Sequence, residues 1–275
     1  MIIIGEKING TRKAVAQAIR ERDAFFIQDL AKQQAEAGAD YLDVNAGTDP
    51  KREPGDMAWL VTSIQAVCDT PLCLDSANPQ ALRAGLGLVK HPPMINSVSG
   101  ETSRIEGVLP LALEFKTNLI LLALDDEIGI PDSSDGRMKI LDRLIGLAKQ
   151  GGLAEHKLFV DPLVTAISTG TENAGITFDT IRKIREKYPE CHITSGLSNI
   201  SFGMPLRPLI NQTFMAMCVQ AGMDSAILDP NDRNLTAVML ASEMLMGKDR
   251  FCQNYSQAFR TGRIGDKKND QPGGK

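Results

Sequence analysis

The sequence predicts an α/β protein folded as a single (β/α)8 TIM barrel. Short apolar or β-branched runs alternate with longer amphipathic segments from one end of the chain to the other, in eight pairs. Strict alternation of this kind requires parallel strands joined by crossover helices, and the 275 residues match a barrel of about 250 residues. An open doubly wound sheet is the alternative, but the chain lacks the G-x-G-x-x-G turn that usually follows its first strand.

The predicted strands are short, and most of them end in a polar residue. They are Ile2–Ile4, Tyr41–Asn45, Pro71–Asp75, Pro93–Asn96, Asn118–Leu124, Lys157–Asp161, His192–Gly196 and Ser225–Asp229. The segments between them repeat apolar residues at three- and four-residue spacing, which predicts helices. These helices are Ala24–Ala37, Met57–Val67, Ala81–Val89, Glu106–Phe115, Arg137–Ala148, Phe178–Lys187, Leu209–Ala221 and Leu235–Leu245. Gly38 and Gly222 are predicted to end their helices in the left-handed conformation.

Composition and charge exclude several classes of function. A net charge of −4 gives no reason to expect nucleic acid or an anionic membrane as a partner. The five cysteines are scattered and lack a C-x-x-C pair, so neither a disulfide framework nor a zinc site is indicated. No basic leader precedes the first strand, and no apolar run reaches the roughly 18 residues of a membrane helix. We therefore expect a cytoplasmic protein.

The apolar pattern stops after Phe259, close to the C-terminal end of the sequence. The last residues are glycine-rich and charged, ending Asp-Gln-Pro-Gly-Gly-Lys, and cannot bury enough apolar surface to order themselves. We expect residues 1–260 to form the barrel and residues 261–275 to form a disordered tail.

Polar residues collect where the predicted strands end. In a parallel barrel these ends lie on one face, and the active sites of barrels are built there. Asp75 is typical, because it directly follows the apolar run Leu72–Leu74; capping of the next helix is the structural alternative for this residue. The full set of strand-end residues is Glu6, Asn9, Asp43, Asn45, Asp75, Asn96, Asp161, Ser198, Asn199 and Asp229, with Lys7 and Arg207 as nearby cations.

The chemistry of this set indicates recognition of a neutral heterocycle. It contains no histidine and no Gly-x-Ser-x-Gly elbow, which argues against an acyl-enzyme. The carboxylates lack the compact spacing of a Mg²⁺ or Ca²⁺ loop, so no protein-bound metal is expected. A carboxylate accepts two parallel hydrogen bonds from an amino-pyrimidinone edge, and an asparagine serves a mixed donor and acceptor edge.

Six motifs at the strand ends together resemble the pterin-binding methyltransferase family. They are Gly5–Asn9, Gly38–Asn45, Leu72–Ser76, Met94–Ser97, Val160–Pro162 and Gly196–Asn199. The likeness is to methyltetrahydrofolate:corrinoid/iron-sulfur protein methyltransferases and related corrinoid methyltransferases, and it covers the chain to about Phe259. It implies a dihydropteroate-synthase-like barrel, usually a homodimer, that binds the pterin ring of a tetrahydrofolate at the strand mouths.

The resemblance also implies a role for each matching residue. Asp75, Asn96 and Asp161 are expected to hydrogen-bond the pterin, and Asn199 is expected near the methyl-bearing N5. Because an asparagine amide can donate a hydrogen bond but cannot supply a proton, Asp75, Asp161 and ordered water are expected to manage the proton. The remaining members expected in the pterin pocket are Glu6, Asn9, Asp43, Asn45, Ser198 and Arg207.

The reaction that the resemblance implies is methyl transfer between N5 of tetrahydrofolate and the cobalt of a corrinoid, in a direction that the sequence leaves open. The chain lacks an Asp-x-His-x-x-Gly corrinoid motif. A separate corrinoid protein, docking over the barrel mouth, is therefore the expected partner.

Two other functions stay open at this point. Dihydropteroate synthase shares the pterin pocket, but the chain has Ile8–Arg12 and Leu197–Ser201 where that family has an Asn-Val-Thr-Pro-Asp-Ser-Phe-like loop and a Ser-x-Arg-Lys-like strand end. A non-catalytic pterin-binding module is the second alternative. Such a module has no need for a group at N5, which is the place expected for Asn199.

Overall fold

The computed structural model describes residues 1–265 and contains a nearly closed barrel of eight parallel strands. The strands are β1 (Ile2–Asn9), β2 (Tyr41–Asn45), β3 (Leu72–Asp75), β4 (Met94–Ser99), β5 (Asn118–Leu122), β6 (Leu158–Asp161), β7 (His192–Ile193) and β8 (Ser225–Leu228). Each strand pairs with the next along the chain from β1 to β7, and β8 pairs with β1. The two edges meet where Ile227 N donates to Ser195 O over 2.9 Å. The predicted fold class is confirmed.

Helices surround the barrel and connect successive strands. They are α1 (Lys13–Glu21), α2 (Ala24–Glu36), α3 (Glu53–Gln65), α4 (Pro79–Leu86), α5 (Thr102–Gly107), α6 (Leu109–Phe115), α7 (Ser134–Gln150), α8 (Asn173–Lys187), α9 (Arg207–Ala221), α10 (Arg233–Leu245) and α11 (Gln253–Arg260). The single helix predicted over 106–115 is wrong. The structure has two helices that meet at Val108, and Pro110 lies in the first turn of the second one, α6. Proline lacks the N–H that would continue the preceding turn. The helices α1 and α11 were not predicted.

The ends of several helices have clear local causes. Asn78 caps α4, with its side chain accepting a hydrogen bond from the Gln80 N–H over 3.0 Å. The interpretation of Asp75 as the cap of this helix is therefore wrong. Gly38 has φ +88° and Gly222 has φ +123°, so both glycines adopt positive φ at the end of a helix, a conformation that L-residues with a Cβ disfavour.

The barrel interior is apolar in its lower half and polar at its mouth. A small cluster of side chains from five strands fills the lower half: Ile4, Cys73, Met94, Ile120 and Phe159, each at most 3% exposed. Successive side chains of a strand point to opposite faces, so residues two positions further along face the interior again. On four of these strands that position holds Glu6, Asp75, Asn96 and Asp161. Strand periodicity thus places polar groups above an apolar floor.

Two strands, β1 and β4, are longer than predicted, and five are shorter, with the largest difference at β7. The pairing of β1 with β2 shifts register between Gly5 and Ile8, and the pairing of β4 with β5 shifts between Ile95 and Val98. Irregularities of this kind are common beside active sites, where they redirect side chains. At the other extreme, regular pairing of β7 ends at Ile193, and a short 3-10 helix, Leu197–Ser201, follows.

The start of the predicted tail packs against the barrel. Ile264 is 2% exposed, and Arg233 donates from Nη2 to Gly265 O over 2.7 Å. Contacts with the barrel therefore continue as far as Gly265. Residues 266–275 lie outside the described part of the chain, so their disorder stays a prediction. Within residues 1–265, no helix combines the length and the apolar character needed to cross a membrane.

Candidate active site

Two amide–carboxylate pairs lie side by side at the mouth of the barrel. Asn45 at the end of β2 donates to Asp75 at the end of β3, with 2.9 Å between Nδ2 and Oδ2. Asn96 on β4 donates to Asp43 on β2, with 3.2 Å between Nδ2 and Oδ1. Asp75 and Asn96 are register partners on adjacent strands. Four of the predicted site residues thus form two hydrogen-bonded pairs on adjacent strands, together called the amide–carboxylate group.

Burial and mutual repulsion shape the charge of this group. Asp43 is 3% exposed, and its pKa is raised well above the usual value by burial and then by the nearby Asp75 carboxylate, while Asn96 opposes the shift. Burial also raises the pKa of Asp75, against the Asn45 hydrogen bond and the Arg104 charge. Two buried carboxyl groups in such proximity favour a state in which one of them keeps a proton.

Asp161 lies at the end of β6 and is 6% exposed. Its Oδ1 accepts a hydrogen bond from the Leu163 N–H over 2.7 Å. Burial raises the pKa of Asp161 to about 7, against the backbone N–H groups of Leu163 and Gly196 and the charge of Arg137. A carboxyl group with this pKa can hold or release a proton near neutral pH, which is what general acid–base chemistry requires.

The predicted residues at the β1 end have local partners. Arg12 donates to Glu6 over 3.2 Å, and burial, the largest influence, raises the pKa of Glu6. Lys7 forms an ion pair with Asp229. Asn9 is occupied by its own turn, because its Oδ1 accepts from Thr11 N over 3.0 Å and from Thr11 Oγ1 over 2.7 Å. Asn9 therefore does not join the amide–carboxylate group.

Asn199 and Ser198 lie in the 3-10 helix that follows β7. The Asn199 side chain is exposed and lies over Gly196, where an added Cβ would come within 3.1 Å of Asn199 Nδ2. Arg207 supports this segment by donating from Nη2 to Ser198 O over 2.9 Å and from Nε to Ser201 Oγ over 3.0 Å. Arg207 thus contacts the 3-10 helix that carries Asn199, and the sequence did not predict this contact.

One part of the mouth was missed by sequence reasoning. Arg104 in α5 donates to Ser76 O over 3.2 Å, and the Ser76 hydroxyl donates to the buried Glu53 carboxylate over 2.5 Å. Arg104 also lowers the pKa of Asp75. The only sequence signal was the position of Arg104 shortly after the fourth strand, and that position alone does not show which way its side chain turns.

A protein-bound metal needs several His, Cys, Asp or Glu ligands in one cluster. Among residues 1–265, no group of three or more His, Cys, Asp or Glu side chains is arranged to hold a metal ion. The expected absence of a protein-bound metal remains a prediction.

The family of the chain follows from a match to a known protein family. Residues 5–229 match the profile of a family described as "pterin binding enzyme". The chain belongs to the pterin-binding enzyme family. The resemblance predicted from the strand-end motifs is therefore confirmed.

Curated relatives give a finer comparison. The chain is 44% identical over 266 residues to the methylcorrinoid:tetrahydrofolate methyltransferase of Eubacterium limosum, covering 96% of this chain and 98% of that protein. It is 32% identical over 241 residues to the methionine synthase of Mycobacterium tuberculosis, covering 83% of this chain but 20% of that protein.

Solved structures with the same fold include dihydropteroate synthases. The enzyme from Xanthomonas albilineans, in complex with indole-2-carboxylic acid and 6-chloroguanine, has a TM-score of 0.68 at 16% identity, covering 90% of this chain and 91% of that chain. The enzyme from Stenotrophomonas maltophilia with active site-bound imidazole has a TM-score of 0.65 at 18% identity, with the same coverage. At these identities the likeness concerns the fold alone.

Proposed function

We propose that this protein is a methyltransferase that moves a methyl group between N5 of (methyl)tetrahydrofolate and the cobalt of a corrinoid protein. The observation that carries the proposal is the 44% identity to a methylcorrinoid:tetrahydrofolate methyltransferase over nearly the full length of both chains. The group of carboxylates and amides at the barrel mouth supports it, because these side chains match the donors and acceptors of a pterin edge. The direction of transfer is left open.

The pterin pocket of this proposal is built from residues at the ends of successive strands. Asp75, Asn96 and Asp161 hydrogen-bond the pterin ring. Asn45 and Asp43 belong to the same pocket and pair with Asp75 and Asn96, respectively. Glu6, Ser198 and Arg207 complete the wall on the β1 and β7 sides. Asn9, whose Oδ1 accepts hydrogen bonds from Thr11, belongs to the pocket on the β1 side.

The difficult step is breaking the bond between the methyl carbon and N5. Its electron pair goes to N5, which takes up a proton, while the carbon bonds to the Co(I) of the partner; the reverse direction releases that proton. Asn199 donates a hydrogen bond that strengthens as charge changes at N5, which lowers the barrier selectively. Asp161, with a pKa of about 7, exchanges the proton through ordered water, with Asp75 in the same network.

The corrinoid is carried by a separate protein in this proposal. That protein docks over the barrel mouth, because the cobalt must reach the methyl group at N5. The corrinoid itself supplies the cobalt that accepts or donates the methyl group. The residues of this chain bind the pterin, orient N5 and hold the proton.

A homodimer is part of the proposal, and one surface of the barrel supports it. Between Arg207 and Asp224 the chain carries no Asp, Glu, Lys or Arg, and α10 carries none between Arg233 and Glu243. These two helices pack against each other, and Met217 of α9 is 48% exposed. Depletion of charge and enrichment of methionine are typical of the centre of protein interfaces.

The predicted cytoplasmic location stays a prediction.

A spectral assay tests the proposed function. The purified protein is mixed with methyltetrahydrofolate and free cob(I)alamin, and separately with tetrahydrofolate and methylcobalamin. We expect the absorption spectrum to report conversion between cob(I)alamin and methylcobalamin. Tight tetrahydrofolate binding without conversion in either direction would favour the non-catalytic module. Formation of dihydropteroate from p-aminobenzoate and a pterin diphosphate would favour the synthase instead.

A further inference from the structure

Arg137 is buried at a place where a cation is unfavourable. It lies in the first turn of α7 and is 1% exposed. Burial lowers the pKa of its guanidinium, because removing a charge from water is costly. The N-terminal end of a helix also carries partial positive charge and disfavours cations. A buried arginine in this position calls for a compensating role.

The guanidinium of Arg137 joins two loops at the barrel mouth. Its Nε donates to Pro131 O over 3.1 Å, in the loop between β5 and α7. Its Nη1 donates to Pro162 O over 2.8 Å and to Leu163 O over 2.5 Å, in the loop after β6. The two loops are thereby held in a fixed relation by one side chain.

Leu163 connects this clamp to Asp161. Its φ is +60°, a left-handed conformation that is unfavourable for leucine and persists only when surrounding contacts hold it. Its carbonyl accepts from Arg137, and its N–H donates to Asp161 Oδ1 over 2.7 Å. One peptide turn therefore links the buried guanidinium to the candidate pterin carboxylate.

We propose that Arg137 is a positioning residue for Asp161. It clamps the Pro162–Leu163 turn so that the Leu163 N–H orients the Asp161 carboxylate toward the pterin, and its charge favours the carboxylate form. The inference rests on the proposed function, in which Asp161 hydrogen-bonds the pterin. It adds a residue that does not contact the substrate but sets the state of one that does.

Several groups surround Asp161, and Arg137 is the charged one that favours its carboxylate form. Among residues 1–265, Arg137 on α7 is the cation that lowers the pKa of Asp161. From α9, the Cys218 thiol faces it, with a pKa raised by burial and by the Asp161 charge. The neighbouring strands approach through backbone groups: Ala123 N donates to Asp161 O over 3.3 Å, and the Gly196 N–H lowers the Asp161 pKa.

The test compares Arg137→Gln with Arg137→Lys in the full-length protein. Tetrahydrofolate affinity is measured by calorimetric titration from about pH 5.5 to pH 9. Wild-type affinity falls as the pH drops through the pKa of Asp161, because a protonated carboxyl cannot accept two N–H bonds. We expect Arg137→Gln to move this midpoint upward by about one pH unit, the effect of losing a nearby opposite charge. Arg137→Lys keeps the wild-type midpoint. A folded Arg137→Gln with the wild-type midpoint would overturn the proposal.

A second pair of variants guards against failure of Arg137→Gln to fold. Leu163→Gly adopts positive φ freely, whereas Leu163→Val resists it. We expect the glycine variant to bind tetrahydrofolate like the wild type, and the valine variant to bind about tenfold more weakly, as loss of one charge-assisted hydrogen bond would cause. Equal binding by both variants counts against the clamp.

Failure of the Arg137 proposal can be distinguished from failure of the proposed function. If the wild type binds no tetrahydrofolate, the proposed function is wrong. The midpoint of Asp161 is then followed through the pH dependence of thermal unfolding, where Arg137→Gln is still expected to raise it and Arg137→Lys to keep it. An unchanged midpoint in that measurement refutes the positioning role by itself.

Discussion

Asn45 donates a hydrogen bond to Asp75 between neighbouring strands, with 2.9 Å between Nδ2 and Oδ2. The parallel pair of Asn96 and Asp43 lies beside it. Both carboxylates therefore already accept hydrogen bonds from amide groups. Groups that are held in place before the ligand arrives lose little conformational freedom on binding. A pterin with N–H donors would add to or replace these bonds without rearranging the mouth.

Asp75→Asn tests the recognition role of this carboxylate. The substitution keeps the shape of the side chain and removes its charge, so charge-assisted hydrogen bonds to the pterin are lost. Such bonds contribute about 1.5–3 kcal/mol, and we expect tetrahydrofolate affinity to fall by about 10- to 100-fold in a calorimetric titration. Asp132→Asn, an exposed residue in the loop after β5, is the matched control. Wild-type affinity and turnover in Asp75→Asn would leave Asp75 a structural role only.

Asn199→Ala separates catalysis from binding. The exposed amide makes its contribution when charge changes at N5, so its loss raises the barrier more than it weakens the ground-state complex. We expect the methyl-transfer rate to fall by about 100- to 1,000-fold, the range for loss of one such donor, with tetrahydrofolate affinity little changed. Single-turnover spectroscopy and titration measure the two quantities. Equal losses in both would rule out a role specific to the transition state.

Asp161→Asn is expected to change how the stability of the ligand-free protein depends on pH. The pKa of Asp161 is about 7 in the folded protein against 3.8 ordinarily. The folded state therefore binds more protons than the unfolded chain between these values, and the free energy of unfolding falls as the pH rises through that window. A separation of about three pH units corresponds to about 4 kcal/mol. Asp161→Asn should lack this decline, as measured by denaturant unfolding at pH 4.5 and pH 8.

Asp224→Asn is a control for which the expected pH dependence of stability has the opposite sign. Burial raises the pKa of Asp224, but hydrogen bonds from His192 and the Ile193 N–H, together with the Arg185 charge, lower it more, and the net pKa is below the usual value. Its contribution to stability is therefore present at neutral pH and is lost as the pH falls. Asp224→Asn should destabilise the protein most at pH 8. If Asp161→Asn showed the same pattern, the raised pKa of Asp161 would be wrong.

Met217→Lys tests the uncharged face of α9 and α10. A lysine at the centre of an interface between two copies would bury an unpaired charge, which is costly. We expect the variant to sediment as a monomer at micromolar concentration while the wild type sediments as a dimer. Leu88→Lys is the control, because Leu88 has nearly the same exposure, 46% against 48% for Met217, and follows α4 instead. A dimer in both variants would move the interface elsewhere.

The sequence by itself determined the fold class and supplied the candidate residues of the site. The short apolar runs of the strands and the three- to four-residue spacing of the helices are local properties, so they can be recognised without a structure. Asp75, Asn96 and Asp161 were found because each directly ends a predicted strand, although β4 continues past Asn96 to Ser99 in the structure. Parallel strands of a barrel bring all their ends to one face.

Only the tertiary structure decided which of these residues interact and what charge they carry. Asn96 and Asp43 are 53 positions apart in the chain, and no local pattern specifies that their side chains meet. Arg137 looked like an ordinary helix residue, and its contacts with Pro162 and Leu163 exist only because α7 packs against the loop after β6. The raised pKa of Asp161 has the same origin, because burial arises when the barrel closes around a group that is solvated in the unfolded chain.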